Sequence, residues 1–221
     1  MRGTSIATLT ASWERLVTAT GGEVDRTPQY VAARSSHDVF NNALLLEADA
    51  EAVDSVRRFY ARVTRWALWT ADEAGDALAD SVGLVRDGGT TDMGRALDHI
   101  PPRADDGVRS ADPAAVAAIN GLSPDLVVGA SGFAGLVADD SRAGLLLFRH
   151  QDDVHLSFLA TKAEHRRAGL ATRLVTAALG RARLDGAKTA TLQSTPAALS
   201  LYERAGFTAL GRWAEWAPPP R

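Results

Sequence analysis

Hydrophobic and polar positions alternate most regularly in the last third of the chain. Residues 154–160 form a short, β-prone run bounded by charged residues, which predicts a strand. Between 168 and 183, apolar side chains recur at the spacing of an amphipathic helix, and Asp185-Gly186 ends that pattern. Residues 187–193 alternate small or apolar positions with polar ones and predict a second strand.

A further helix and a last strand are predicted beyond residue 193. Ser194 and Thr195 are N-cap candidates, and Pro196 follows at the first helical position. We expect this helix to run to Arg204 and to be capped by Gly206 in a left-handed conformation. Residues 207–216 then predict a strand. Strands and helices in this order indicate an α/β layer with at least one parallel pair.

The pattern in the first half of the chain is less regular. It predicts helices near residues 7–20, 50–63 and 72–81, and strands near residues 42–46 and 84–86. Residues 100–106 are polar and contain two prolines, which makes them the candidate domain boundary. We therefore divide the chain into residues 1–105 and residues 106–221.

The two halves resemble each other at one corner. Residues 78–84 align with residues 201–207 at an offset of 123, and each segment follows a strand-like run and an amphipathic helix. A worn internal repeat is one interpretation. The other is that helix–glycine–strand corners all look alike. In this alignment Ala79 stands at the position of Tyr202, and no glycine-bearing loop precedes the helix predicted at 50–63.

Composition and charge exclude several classes of protein. The 221 residues include 27 acidic and 24 basic side chains, a net charge of −3, and no cysteine. Disulfides and thiolate sites are therefore excluded, and a general nucleic-acid binder is disfavoured because it needs a basic surface. No apolar run approaches the length of a membrane span, and the first residues lack a signal-peptide core, so we expect a cytoplasmic protein.

The segment from Arg166 to Ala171 is the strongest candidate for chemistry. It follows a predicted strand and opens a predicted helix, and it contains Gly169 after two arginines. Amides at the start of a helix are unpaired donors at the positive end of its dipole, which favours an anion. Arginines beside them suit a diphosphate, although an exposed arginine pair is more commonly only solvated surface.

Two motifs in order resemble the GNAT superfamily of acyl-CoA-dependent N-acyltransferases. The first is Arg-x-x-Gly-x-Ala at residues 166–171, and the second places Tyr202 four residues before Gly206-Phe207. The resemblance implies an α/β (α+β) fold with a mixed, mostly antiparallel sheet, a splayed central parallel pair and flanking helices. It covers residues 106–216. If the internal repeat is real, the first half is a degenerate copy of the same fold that has lost cofactor binding and serves as scaffold and cleft wall.

The resemblance also implies roles for individual residues. The backbone near Leu159 to Thr161 would pair with the pantetheine of acetyl-CoA, and an amide there would polarise the thioester carbonyl. Tyr202 would be the general acid for the departing thiolate. The residues expected to bind the cofactor are Leu159, Ala160, Thr161, Arg166, Arg167, Ala168, Gly169, Leu170, Ala171, Thr172, Thr195 and Ala198.

Two positions depart from the family pattern. Thr195 stands where members often carry asparagine, which puts one contact to pantetheine in doubt. Ala168 occupies a position that is frequently basic, so diphosphate binding would depend more on the backbone amides.

A general base is also required. An alkyl amine with a pKa near ~10.4 is protonated at pH 7, and freeing its lone pair costs about 4–5 kcal/mol. His155, on the strand expected to hold the cofactor, is the candidate, since an imidazole titrates near neutrality. The alternative is a strand-end histidine that faces solvent.

Three other patterns suggest structure rather than catalysis. Residues 129–135 match neither a nucleophile elbow nor a dinucleotide fingerprint and predict a flexible loop beside the substrate cleft. Asp152-Asp153, between two histidines, predicts a hairpin turn rather than a metal site. Trp66 and Trp69 would face opposite sides of a strand and pack. Residues 40–42 predict either a turn or polar groups of the acceptor site.

The expected reaction is direct transfer of an acetyl group from acetyl-CoA to a primary amine, without a metal. The acceptor would be a small molecule or a peptide, and a homodimer is compatible with the resemblance. A non-catalytic protein that binds or senses acyl-CoA is the alternative, and an O-acyltransferase or a longer acyl chain stays open. Tyr202 favours the enzyme, because binding alone needs no proton donor.

Overall fold

One large sheet organises the chain. The computed structural model describes residues 1–100 and 107–220, and the eleven strands of these residues form a sheet of order β1-β2-β3-β4-β11-β5-β10-β9-β8-β7-β6. The strands are β1 (Glu23–Arg26), β2 (Tyr30–Arg34), β3 (Asn42–Leu45), β4 (Ala67–Thr70), β5 (Val85–Ala96), β6 (Val108–Ala111), β7 (Phe133–Ala138), β8 (Ala143–His150), β9 (Asp153–Thr161), β10 (Thr189–Ser194) and β11 (Thr208–Ala217).

Six α-helices lie among the described residues. They are α1 (Arg2–Ala19), α2 (Ala50–Phe59), α3 (Glu73–Ser81), α4 (Pro113–Ile119), α5 (Leu170–Leu184) and α6 (Leu199–Arg204). The sheet is mostly antiparallel, and its parallel pairs are β3 with β4 and β9 with β10. This is the mixed, mostly antiparallel architecture that the resemblance to the GNAT superfamily implies, and it contains the parallel pairing that the sequence pattern predicts.

The two halves of the chain exchange their last strands at the centre of the sheet. β5 comes from the first half but pairs with β10 of the second, whereas β11 comes from the second half and pairs with β4 of the first. β5 and β11 also pair with each other, through one of the longest ladders in the sheet. The halves are therefore joined by continuous backbone hydrogen bonds.

The register at this exchange is symmetric. Asp92 lies opposite Gly211, and Gly88 lies opposite Glu215. Adding the offset of 123 residues to Gly88 gives Gly211, and adding it to Asp92 gives Glu215. The offset found at one helix–glycine–strand corner thus also relates the two exchanged strands. The domain boundary predicted at 105/106 lies outside the described residues.

Helices cover both faces of the sheet. On one face, α5 packs Leu174 and Ala178 into a core with Leu156 and Leu192 of the strands. The opposite face holds α1 and α4, and Trp13 of α1 belongs to the core there. A third core lies beneath α2 and α3. Burial of large apolar side chains at about 1.5–3 kcal/mol each stabilises this arrangement.

Several predicted elements differ from the structure in extent. β5 is twelve residues long, because it is paired on both sides, whereas its polar, glycine-rich sequence suggested only residues 84–86. β1 and β2 lie in the segment that read as turns. The helix predicted from Pro196 to Arg204 is divided into a 3-10 turn, Pro196–Ala198, and α6. The side chains of Ser194 and Thr195 do not cap it; Ser194 Oγ donates to the Thr195 carbonyl at 2.9 Å.

Candidate active site

β9 and β10 separate after three residue pairs. Their pairing runs from Asp153 opposite Thr189 to His155 opposite Thr191, and β9 continues to Thr161 without a paired residue on β10. The strands thus open at the end that leads into α5. The predicted splayed pair is present, and Leu159, Ala160 and Thr161 line its β9 side, each half-buried.

A β-bulge in β9 shapes this opening. Ser157 pairs with Leu146 and Ala160 pairs with Gly144, so two residues of β9 lie opposite one residue of β8. Phe158, in the bulge, has a φ of 51°. Bulges next to active sites re-aim backbone and side-chain groups, and a positive φ in a non-glycine residue needs support from its surroundings.

Asn120 at the end of α4 supplies that support. Its Nδ2 donates to the carbonyls of Phe158 at 2.8 Å and Val116 at 2.9 Å. The Phe158 ring meets Phe40 edge-on, with centroids 6.4 Å apart. Sequence reasoning missed Asn120 and the bulge, because no local pattern marks a non-glycine residue with positive φ or a side chain that bonds 38 positions away.

The loop that opens α5 has the features of an anion site. Gly169 is the N-cap of α5 with a φ of 77°, and no side chain caps the helix. A Cβ at Gly169 would have no atom within 4 Å, so the loop has room for a side chain there. Glycine is favoured at this position because of its positive φ. Arg166, Arg167 and Ala168 are exposed, and Arg166 Nε donates to the Thr161 carbonyl at 3.4 Å.

The residues of this loop fit a diphosphate. The first turn of α5 contains no acidic residue. Leu170 anchors the turn in the core, whereas Thr172 is exposed and Ala171 half-buried beside it. Unpaired helix amides next to two exposed arginines can hold the phosphates, which carry the negative charge of CoA.

The matching helix of the first half lacks this chemistry. α2 follows β3 as α5 follows β9, but its N-cap is Asp49, whose side chain accepts from the amides of Glu51 and Ala52. The carboxylate of Asp49 therefore already occupies the helix start, and the carboxylate of Glu51 lies in the first turn. A phosphate would be repelled there.

Tyr202 lies on α6, and its side chain belongs to the core cluster against which Leu159 of β9 packs. The side chain is buried beside Phe207, with ring centroids 5.9 Å apart, and burial raises its pKa to about 12. Burial therefore favours the protonated phenol over the phenolate. Thr195 is exposed and Ala198 half-buried at the 3-10 turn between β10 and α6. The predicted cofactor residues thus lie at the end of β9, in the loop and first turn of α5, and at this turn after β10.

His155 is buried rather than solvent-facing. It is 3% exposed, and its Nδ1 lies 3.4 Å from the hydroxyl of Thr191, which donates to Asp153 at 2.6 Å. The hydroxyl oxygen can therefore accept from Nδ1–H, which leaves Nε2 as the acceptor. Burial lowers the pKa of His155 to about 4, against an opposing effect of Asp153.

This burial argues against the predicted role of His155 as the base. Proton transfer from an alkylammonium with a pKa of about 10.4 to a group with a pKa of about 4 is uphill by about 9 kcal/mol. The predicted hairpin turn is present between β8 and β9, one residue earlier than expected, at Gln151-Asp152. Asp152 lies in the turn, but Asp153 begins β9, is fully buried and accepts hydrogen bonds from Thr189 and Thr191.

The other sequence patterns, at residues 129–135, at the two tryptophans and at residues 40–42, form turns or pack in the cores. Residues 129–132 form a turn before β7. Trp66 stacks on Tyr60, and Trp69 lies in the core on the opposite face of the sheet, as the spacing predicts. Residues 38–40 form a 3-10 turn, and the buried side chain of Asn41 accepts from the Ser35 amide at 2.8 Å.

The described residues contain neither a candidate metal site nor a candidate membrane span. No group of three or more histidine, aspartate or glutamate side chains there could hold a metal ion. Within the same residues, none of the helices combines the length and the apolar character required to cross a membrane.

Comparisons with known proteins agree with this geometry. Residues 114–215 match the family profile of the acetyltransferase (GNAT) domain. No curated protein matches the sequence.

Solved structures share the fold over nearly the whole chain. A GCN5-related N-acetyltransferase from Kribbella flavida is 17% identical, with a TM-score of 0.70 over 96% of this chain and 95% of that one. A GCN5-related N-acetyltransferase from Sphaerobacter thermophilus is 13% identical, with a TM-score of 0.60 over 87% and 81%. A tandem GNAT protein from the clavulanic acid biosynthesis pathway is 14% identical, with a TM-score of 0.56 over 96% and 95%. Residues 114–215 therefore match a GNAT acetyltransferase domain, and the chain as a whole has the fold of solved GNAT proteins.

Proposed function

We propose that this protein transfers an acetyl group from acetyl-CoA directly to a primary amine. The observation that supports this most is the opening between β9 and β10, from which β9 leads into the loop of Gly169 and β10 leads into α6, the helix that carries Tyr202. An extended chain with amides, such as pantetheine, can pair there with the free edge of β9 as an added strand. The diphosphate would bind the amides that begin α5, beside Arg166 and Arg167.

The chemistry follows from the groups around this opening. The backbone amide of Leu159 or Ala160, next to the bulge, would donate to the thioester oxygen as negative charge develops on it. Tyr202, protonated because of its burial, would give a proton to the departing thiolate. No covalent intermediate is needed, because the amine attacks the thioester itself.

The acceptor is proposed only as a class. A primary amine on a small molecule or a peptide fits direct attack on a thioester. An uncharged amine is required at the moment of attack, so the site must also remove a proton.

Two measurements test the proposal. Isothermal calorimetry should detect CoA binding to the wild type, and the arginine variant R166A/R167A should bind it at least tenfold more weakly. Acetyl-CoA with a panel of primary amines should then release free thiol at a rate that depends on the amine. Absence of CoA binding would refute the proposed site. Binding without turnover on any amine would instead favour a protein that senses acyl-CoA.

A further inference from the structure

A buried carboxylate with a free oxygen lies beside the opening. Asp92 of β5 is fully buried, and its Oδ1 accepts from Ser5 Oγ at 2.6 Å and from Gln193 Nε2 at 3.2 Å. Its Oδ2 has no hydrogen-bond partner among the described residues. A buried oxygen of a carboxylate without a partner is costly, and such atoms usually serve a ligand, a water or a proton.

The location of Asp92 connects it to the site. It pairs with Gln193 of β10, two residues beyond Thr191, where β9 has already separated from β10. Neighbouring strands lie about 4.8 Å apart, so Asp92 is one strand away from the edge of the opening. Trp213 belongs to the core on the α1 side of the sheet and lies opposite Thr90, two residues before Asp92. Since side chains two residues apart in a strand point to the same face, the Asp92 side chain faces α1 and not α5.

We propose that Asp92 receives the proton of the acceptor amine, through one water molecule, and that the first half of the chain thereby completes the active site of the second. The proposal rests on the function proposed above. It gives the first half a chemical contribution in addition to its scaffold role, since the exchanged strand β5 carries Asp92 to the site.

Burial favours the protonated form of Asp92 and disfavours the protonated form of His155. Protonation of a buried imidazole creates a charge, whereas protonation of a buried carboxylate removes one. Burial raises the pKa of Asp92, and the hydrogen bonds from Ser5 and Gln193 oppose this. The charged groups that act on Asp92 are Arg2 of α1, which lowers its pKa, and Asp153 of β9, which raises it.

Each proton that moves in the proposed reaction has a donor and an acceptor. The ammonium gives one proton to Asp92, and the neutral nitrogen forms a bond to the thioester carbon. The C–S bond then breaks with its electron pair on sulfur, and Tyr202 gives its hydroxyl proton to the thiolate. The second proton of the nitrogen restores Tyr202, and Asp92 releases its proton to solvent. The products are the amide, CoA and one proton.

The test compares Asp92→Asn with Glu215→Gln. Glu215 is the matched control, because it occupies the symmetry-related position on the other exchanged strand, away from β10. With acetyl-CoA and an alkyl amine at pH 7, we expect the kcat/KM for the amine to fall about 100-fold in Asp92→Asn and less than threefold in Glu215→Gln. CoA affinity by calorimetry should be unchanged in both variants.

The pH profile separates a proton acceptor from a structural role. The deficit of Asp92→Asn should shrink as the pH rises toward the pKa of the amine, because free amine then needs no acceptor. A constant deficit, or wild-type activity in Asp92→Asn with acetyl transfer intact, would overturn this proposal alone. A wild type that releases no thiol with any amine would overturn both proposals.

A measurement on the wild type covers the case in which Asp92→Asn does not fold. The apparent pKa of the acid limb of its kcat/KM profile should change little with temperature, because the ionisation enthalpy of a carboxyl group is near zero. A limb with the large enthalpy of an imidazole would refute Asp92 as the proton acceptor.

Discussion

At the scale of single residues, burial determines the chemistry of the site more than residue type does. Tyr202 and His155 were identified by position, but the phenol becomes a weaker acid and the imidazole a weaker base once both are removed from water. The motif around Tyr202 was sufficient to locate the predicted acid. The buried state of His155 could not be read from its strand, because a strand-end histidine faces solvent as readily as core.

Replacement of Tyr202 by phenylalanine tests the acid. The ring and its contact with Phe207 are kept, so we expect the free energy of unfolding to change by less than about 1 kcal/mol. Turnover should fall about 100-fold because the thiolate then departs without a proton, while CoA affinity stays the same. Steady-state kinetics and calorimetry measure these quantities. Wild-type turnover in this variant would remove Tyr202 from the mechanism.

The burial of His155 predicts a loss of stability in acid. Its pKa is about 4 in the folded state and about 6.5 when unfolded, so the unfolded chain binds more protons between these values. The contribution of His155 to the free energy of unfolding is present above pH 6.5 and is lost as the pH falls toward 4. This group should contribute a loss of about 2 kcal/mol between pH 7.5 and pH 5.

Urea denaturation at the two pH values measures this contribution. His155→Gln has no imidazole to protonate, so its own loss over the same interval should be smaller than that of the wild type by about 2 kcal/mol. Equal losses in the two proteins would show that His155 titrates normally in the folded state.

At the scale of elements, local pattern predicted the helix and its glycine but not the bulge opposite. α5 and its loop follow from apolar spacing and from Gly169, which are features of neighbouring residues. The bulge in β9 depends on Asn120, whose hydrogen bond to Phe158 spans 38 positions. Register within β9 is set by its partner strand and by α4, and no spacing in β9 alone reveals it.

A pair of glycine substitutions tests the loop. Gly169 and Gly186 flank α5, with φ of 77° and 79°, and neither Cβ would meet an atom within 4 Å. Alanine at either position should cost about 1 kcal/mol of stability through its backbone conformation. Only Gly169→Ala should also weaken CoA binding, by about tenfold, because only that loop presents amides to the diphosphate.

Thermal unfolding and calorimetry on both variants give the comparison. Equal CoA affinity in Gly169→Ala and Gly186→Ala would place the diphosphate elsewhere.

At the scale of the whole molecule, the exchange of β5 and β11 makes the two halves interdependent. β5 of the first half pairs only with β11 and β10 of the second half, and β11 of the second half pairs only with β4 and β5 of the first. The domain division predicted from sequence stays a prediction. A cut there would remove a central strand from each half, so we expect that the two halves do not fold independently.

Two fragments test this dependence. Residues 1–100 and residues 107–221, produced separately, should each lack cooperative unfolding, because β5 and β11 lose their partners. Mixed during refolding, they should form a one-to-one complex with the circular dichroism of the intact protein. A fragment that folds alone as a monomer would contradict the interdependence of the halves.

The sequence by itself determined the helices with clear periodicity, the glycine loop before α5, the position of Tyr202 and the mixed type of the fold. These depend on residues close together in the chain, where side-chain spacing and backbone preferences act directly. Only the tertiary structure decided that β5 lies against β10, that Asn120 supports the bulge, and that Asp92 meets Ser5 and Gln193 across 87 and 101 positions. Such contacts arise from strand pairing and from the burial of one face against another, which local spacing does not encode.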